Sequence, residues 1–273
     1  MPGDPFATLE GWAVAAANTP RWDHTYVTSS CGYAWGCWGR FSGGISLGSG
    51  TGSSFVAECL SQPNSEAGIR YLRTGVCHQT ANRILHPAAP LTVSNARGYP
   101  VSVALFGVYG LGAWPAKTTC YASTQSTQIG GTTVAGSGTP KVSRGSGMLR
   151  KQAYDQAVYQ PSDDADDGEA VRLRELYALV QLGLGRDLSP AVFRAVAERQ
   201  AYMRRQQEEL VKLLDAHRLE AAAYADRLRG VLESWADDTR GLIGSDDFRA
   251  IFGDSDPPGL VDKDVFLARE GTG

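Results

Sequence analysis

The composition of this 273-residue chain changes near Glu169, and that break constrains the fold more than any single motif. Before it the chain is rich in Gly, Ser, Thr and aromatic residues; after it Ala, Leu, Arg and Glu dominate. Aromatic and β-branched residues suit pleated strands, whereas the later set are strong helix formers. The expected fold is therefore α+β, a small N-terminal antiparallel sheet with helices, followed by a C-terminal helical module. The expected divisions are an α+β domain over 1–121, a Gly/Ser/Thr-rich and then acidic linker over 122–168, a helical module over 169–253, and a loosely attached tail over 254–273. With 42% hydrophobic residues a sizeable core can be buried.

Local patterns fill in these parts. His24 to Thr28 is β-favouring and follows Pro20, so a strand is expected there. Gly11 to Ala17 reads as a short helix or a strand, and Cys31 to Trp38 as a second strand or an aromatic loop. Gly43 to Ser54 is glycine-dense and reads as a loop, with a brief helix from Phe55 to Leu60. Cys77 to Leu85 reads as a helix stopped before Pro87. Leu91 to Val93 and Val101 to Leu111 read as strands. Glu169 to Leu182 has helical spacing. Ser189-Pro190 starts a long helix or helix pair running to about Trp235, with Ser as cap and Pro at the first helical position. Ser245 is expected to cap a last helix ending at Phe252. The run Asp163 to Asp167 lacks the alternating ligands and closing glutamate of a calcium loop.

Charge and length exclude some function classes. A net charge of -3 and a pI near 5.8 give no field suited to nucleic acid or an anionic membrane. No apolar run reaches membrane-spanning length, and the run Ala13 to Ala17 is too short for a secretory signal. A cytosolic place of work is expected, with no nucleic-acid or membrane partner. Five cysteines leave at least one thiol unpaired in a monomer, and all five free in a reducing compartment.

The chemistry concentrates at Cys77. A thiol just past Thr74-Gly75, at the start of a helical pattern, meets unpaired helix N–H groups and the positive end of the helix dipole. Both favour thiolate and can hold an oxyanion. The competing reading is a small buried thiol packed beside Ala81 and Leu85. A thiol nucleophile needs a base, and four histidines are available. His78 follows Cys77 on the helix and diverges from it by roughly 100°. His86 lies about a dozen ångström away by helical rise, and His217 sits on a charged helix face. His24, on the early strand, is the expected base. Gln79 is the expected oxyanion donor, and Asn82 can fix a substrate amide. Trp35, Trp38 and Tyr26 cluster in sequence near His24 and can line an apolar substrate pocket, or simply form core. A zinc set of Cys31, Cys37, Cys77 and His78 lacks the usual knuckle spacing, and no metal or other cofactor is expected.

The order of His24 on an early strand and Cys77 at a following helix start resembles the circularly permuted papain-like proteins. These include the permuted NlpC/P60 group, the lecithin:retinol acyltransferase-like proteins and the PPPDE peptidases. The resemblance covers Trp22 to Tyr109, although Val76 stands where such families often have Asn. It implies a permuted papain-like fold, a Cys77 nucleophile and a His24 base acting on a small-molecule or peptide amide, ester or thioester. The alternative is an interaction protein whose C-terminal helices pack on a protein partner or a second copy, with Cys77 only structural.

Overall fold

A computed structural model describes residues 7–16, 21–38, 41–112, 120, 146–158 and 168–271. Four strands form one antiparallel sheet: β1 (Ala7–Ala15), β2 (Asp23–Ser29), β3 (Ala34–Gly36) and β4 (Ile45–Gly52), in the order β3-β2-β1-β4. Nine α-helices follow among the described residues: α1 (Ser54–Ser61), α2 (Cys77–Leu85), α3 (Tyr99–Phe106), α4 (Ser146–Val158), α5 (Gly168–Leu184), α6 (Pro190–Asp215), α7 (Ala221–Ile243), α8 (Ser245–Phe252) and α9 (Lys263–Glu270). The fold is α+β, with the sheet N-terminal and most helices C-terminal. No helix among the described residues is long and apolar enough to cross a membrane.

The glycine-dense stretch expected as a loop is strand β4, and its glycines explain why. A Cβ on Gly52 would sit 2.7 Å from the Pro87 carbonyl carbon, and one on Gly50 would sit 3.0 Å from the Ala88 oxygen. Alternate glycines thus let the backbone that follows α2 lie directly on the strand. On β1, Gly11 does the same for Leu85 and Val93, each 3.1 Å from where its Cβ would be. The segment expected as a strand over Val101 to Leu111 is instead helix α3 followed by a turn. Gly98 enters it at φ 79° with Pro100 in the first turn, and Gly107 leaves it at φ 77°. Val101, Ser102, Val103, Ala104 and Leu105 are all fully buried, so the helix is covered on every side and lacks the periodicity that marks surface helices. Leu91 to Val93 lies outside the sheet. Ser245 opens α8 without capping it, because Gly244 holds the N-cap position.

One buried cluster runs from Leu9 on β1 to Phe266 on α9, so the N-terminal and C-terminal parts share a core. Arg204 on α6, 2% exposed, donates to the carbonyls of Ala104 (2.7 Å) and Val103 (2.9 Å) on α3. Tyr224 on α7 donates to the Leu72 carbonyl at 2.7 Å. Most of the expected linker lies outside the described residues, but α4 falls within it and is docked, with Lys151 donating to the Thr92 carbonyl at 3.0 Å. The tail expected to be loose is also docked. Val261 and Phe266 are fully buried, and Arg269 pairs with Glu66. A disulfide joins Cys59 on α1 to Cys120, leaving Cys31, Cys37 and Cys77 free.

Candidate active site

Helix α2 begins at Cys77 because the backbone enters it extended at Val76 (φ -133°, ψ -169°) and is tied there by Gln79. The Val76 N–H donates to Gln79 Oε1 at 3.0 Å, while Gln79 Nε2 donates to the Gly107 carbonyl at 2.9 Å and to Ser102 Oγ at 3.3 Å. Every polar atom of Gln79 is therefore committed to the fold. The expectation that it serves as an oxyanion donor is corrected: it is a fully buried capping residue. Asn82, expected to fix a substrate amide, is likewise a structural residue and does not line the cavity beside Cys77. It is fully buried, donates to Tyr99 OH (3.0 Å) and the Val108 carbonyl (2.8 Å), and accepts from the Val93 N–H (3.0 Å).

Strand β2 crosses in front of the helix start. Its first residue, Asp23, is clamped by Arg97, whose backbone N–H (2.8 Å), Nε (3.0 Å) and Nη2 (2.7 Å) all reach the carboxylate. The Asp23 carbonyl accepts from His78 Nε2 at 3.2 Å and from the Cys77 thiol at 3.7 Å. His78 Nδ1 faces Ser102 Oγ at 2.9 Å, and burial pushes its imidazole below the usual range, so it is a neutral positioning group. His24, one residue further along β2, is 8% exposed, and neither ring nitrogen has a hydrogen-bond partner among the described residues. The ring lines the same cavity as Cys77, and its nearness helps to lower that thiol from its ordinary range. Its ring is held by stacking, with Trp38 at 5.6 Å and Phe41 at 6.3 Å between centroids. No carboxylate or amide orients it among the described residues.

Cys37, immediately after β3, is 2% exposed, and its thiol hydrogen-bonds to Cys77. That contact is the main cause lowering the Cys77 thiol well below its ordinary range, with burial opposing it and the neighbouring His78 and His24 imidazoles adding to it. Burial, then the contact with Cys77, pushes Cys37 well up. Of the two thiols, the one at the helix start is therefore the more acidic.

Cys77, His24, Trp38, Tyr71, Trp22, Leu260 and Asp262 line one cavity of about 50 Å³, room for a small acyl group or a water or two. Trp38 is the one expected pocket aromatic that lines it. Tyr26 points away, donating to the Gly43 carbonyl at 2.7 Å, and Trp35 stacks on Tyr33 and donates to Glu58; both are core and sheet-edge residues. His86 packs on Tyr109, and His217 is exposed at the end of α6. Trp22, Cys37, Leu260 and Asp262 were not expected here. Trp22 precedes His24 by two residues, which is a weak sequence signal; the tail residues, some 180 positions from Cys77, offer none. The Trp22 Nε1 is buried without a partner beneath Gly259, whose Cβ, were there one, would lie 2.7 Å from it. Among the described residues no three His, Cys, Asp or Glu side chains converge to hold a metal.

Fold and site together define an α+β protein in which a thiol at a helix N-terminus and an imidazole from the adjacent strand line one small cavity. Compared with known protein families, curated proteins and solved structures, the chain matches none.

Proposed function

We propose that this chain is a cysteine-dependent hydrolase or acyl or amide transferase that works through a thioacyl-enzyme. The observation carrying the reading is that Cys77, at the first position of α2, and His24, whose ring nitrogens have no hydrogen-bond partner among the described residues, line one cavity. His24 takes the proton of the Cys77 thiol, and the resulting thiolate attacks the carbonyl carbon of an amide, ester or thioester. Negative charge gathers on the carbonyl oxygen, which the backbone N–H groups at the very start of α2 stabilise. His24 gives a proton to the leaving amine, alcohol or thiol, and Cys77 keeps the acyl group. His24 then takes a proton from water, or from an acceptor nucleophile, as that molecule attacks the thioester and frees the sulfur.

The order of a strand histidine before a helix-start cysteine supports the permuted papain-like resemblance, and stacking by Trp38 and Phe41 stands in for the missing orienting residue. The Cys59–Cys120 disulfide favours an oxidising compartment over the cytosol expected from sequence. The interaction-protein alternative draws on Leu173, Tyr177 and Tyr202, which are exposed on α5 and α6.

Incubation with p-nitrophenyl acetate, followed by intact-mass analysis, tests the acyl-transfer reading. The expected result is a burst of nitrophenol and an acetyl group on Cys77, abolished by Cys77→Ser and slowed roughly 100-fold or more by His24→Ala. Acetylation spread evenly over Cys31, Cys37 and Cys77, or unaffected by His24→Ala, refutes it.

A further inference from the structure

A buried polar atom without a partner marks a place that the fold alone does not complete. Seven such side-chain atoms occur among the described residues, and three belong to residues lining the Cys77 cavity: both ring nitrogens of His24, and Nε1 of Trp22. The His24 nitrogens have their task in proton transfer. The Trp22 N–H has none in the steps above, although the residue is only 5% exposed.

Two glycines fix how this indole lies. A Cβ on Gly98, at the entry to α3, would fall 1.9 Å from Trp22 Cε3 and 2.2 Å from Cζ3. A Cβ on Gly259 would fall 2.7 Å from Nε1 and 3.4 Å from Cδ1. The ring is gripped between two backbones, and neither has room for a side chain. Gly259 lines the cavity together with Trp22 whereas Gly98 does not, so the N–H edge of the ring is the one toward the cavity. As glycine, position 259 lacks the methyl group that would cap this donor. Much of the remaining wall is hydrocarbon, from Ala16, Val76 and Leu260. Asp262 adds a carboxylate, whose Oδ1 accepts from the Val265 N–H at 3.1 Å.

We infer that Trp22 selects the acyl group: its Nε1–H donates to a neutral acceptor oxygen on a short acyl chain held beside Cys77. The substrates are then esters, thioesters or amides of small oxygen-bearing acids rather than of plain hydrocarbon ones. The inference rests on the acyl-transfer reading and deepens it. Chain length follows from the cavity of about 50 Å³, which admits roughly two or three non-hydrogen atoms beyond the carbonyl. Neutrality follows from Asp262, since a carboxylate or phosphate on the acyl chain would be brought against a like charge. Polarity follows from Trp22. A buried donor left unpaired is costly, so a chain that supplies an acceptor is preferred over an isosteric one that does not. The donor serves the acyl side because that part stays bonded to Cys77 through both steps, whereas the leaving group must depart to solvent.

The test compares p-nitrophenyl methoxyacetate with p-nitrophenyl butyrate, in which a methylene replaces the ether oxygen at nearly the same volume. The methoxyacetyl ester is intrinsically the more reactive. The readout is therefore the ratio of kcat/KM for the two esters, compared between the unsubstituted full chain and Trp22→Phe, which keeps an aromatic ring and removes the N–H. The ratio is expected to fall about tenfold in Trp22→Phe. Gly259→Ala, which sets a methyl against the donor, should lower it in the same direction, and it carries the comparison if Trp22→Phe folds poorly. A ratio within twofold of the unsubstituted protein's overturns the inference and leaves acyl transfer standing. An equal fall for both esters overturns it too, and assigns the donor to the carbonyl oxygen they share. Absence of acylation of the unsubstituted protein by either ester removes the acyl-transfer reading and this inference together.

Discussion

Replacing Gln79 with Met separates the role the structure gives this residue from the one its position in sequence suggests. Met fills a similar volume without hydrogen-bonding capacity, so the packing is largely kept and the polar contacts are lost. Three contacts disappear: the Val76 N–H to Oε1 (3.0 Å), and Nε2 to the Gly107 carbonyl (2.9 Å) and Ser102 Oγ (3.3 Å). Ser102 keeps its bond to the Tyr99 carbonyl at 2.8 Å, so its loss is minor. The Val76 N–H and the Gly107 carbonyl lose a partner at a site with no solvent access. Leaving a buried donor or acceptor unsatisfied costs about 1–3 kcal/mol each, so the total is roughly 2–6 kcal/mol. For a chain of this size that is a fall in Tm on the order of 5–20 °C. The assay is urea unfolding followed by fluorescence, alongside the acetylation burst measured well below the new Tm. Large destabilisation with at least a tenth of the burst rate retained is expected. Stability unchanged within about 0.5 kcal/mol together with loss of the burst would show that Gln79 acts on the substrate, and would refute the reasoning.

Two further outcomes follow from burial and cross-linking. His78 is held neutral in the fold, with its imidazole lowered from 6.5 by burial, while the unfolded chain binds a proton there as pH falls. Since the unfolded state then carries more protons, this group's contribution to stability is present above about pH 6.5 and is lost below it. Urea unfolding at pH 7.5 and 5.0 should show a drop in stability on acidification that His78→Gln reduces; an equal drop in both proteins assigns it elsewhere. Removing the Cys59–Cys120 disulfide with a double serine variant frees a loop of 61 residues. Chain entropy sets the loss near 4 kcal/mol, and a midpoint unchanged in urea would show that the link does not restrain the unfolded chain.

What the sequence by itself determined lies in local chemistry. The helix from Cys77 to Leu85 follows from a turn, an extended residue and a proline stop, and the start at Pro190 follows from Ser189, whose Oγ accepts from the Val192 N–H at 3.4 Å. The strand at His24 is legible because its residues are β-formers. All of these are decided within a few positions. Tertiary structure decided the rest. The glycines of β4 look like a loop because their purpose, close approach of the Pro87–Ala88 backbone, lies outside the segment. Helix α3 hides because burial on every side erases its period. Gln79 and Asn82 carry the residue types of a substrate site, yet their partners are backbone groups brought near only by folding. The thiol of Cys37, the indole of Trp22 and the roof at Gly259 to Asp262 come to Cys77 from distant points in the chain. Local pattern can say where a nucleophile would be activated; which groups surround it depends on long-range packing, and that is written in no single stretch of residues.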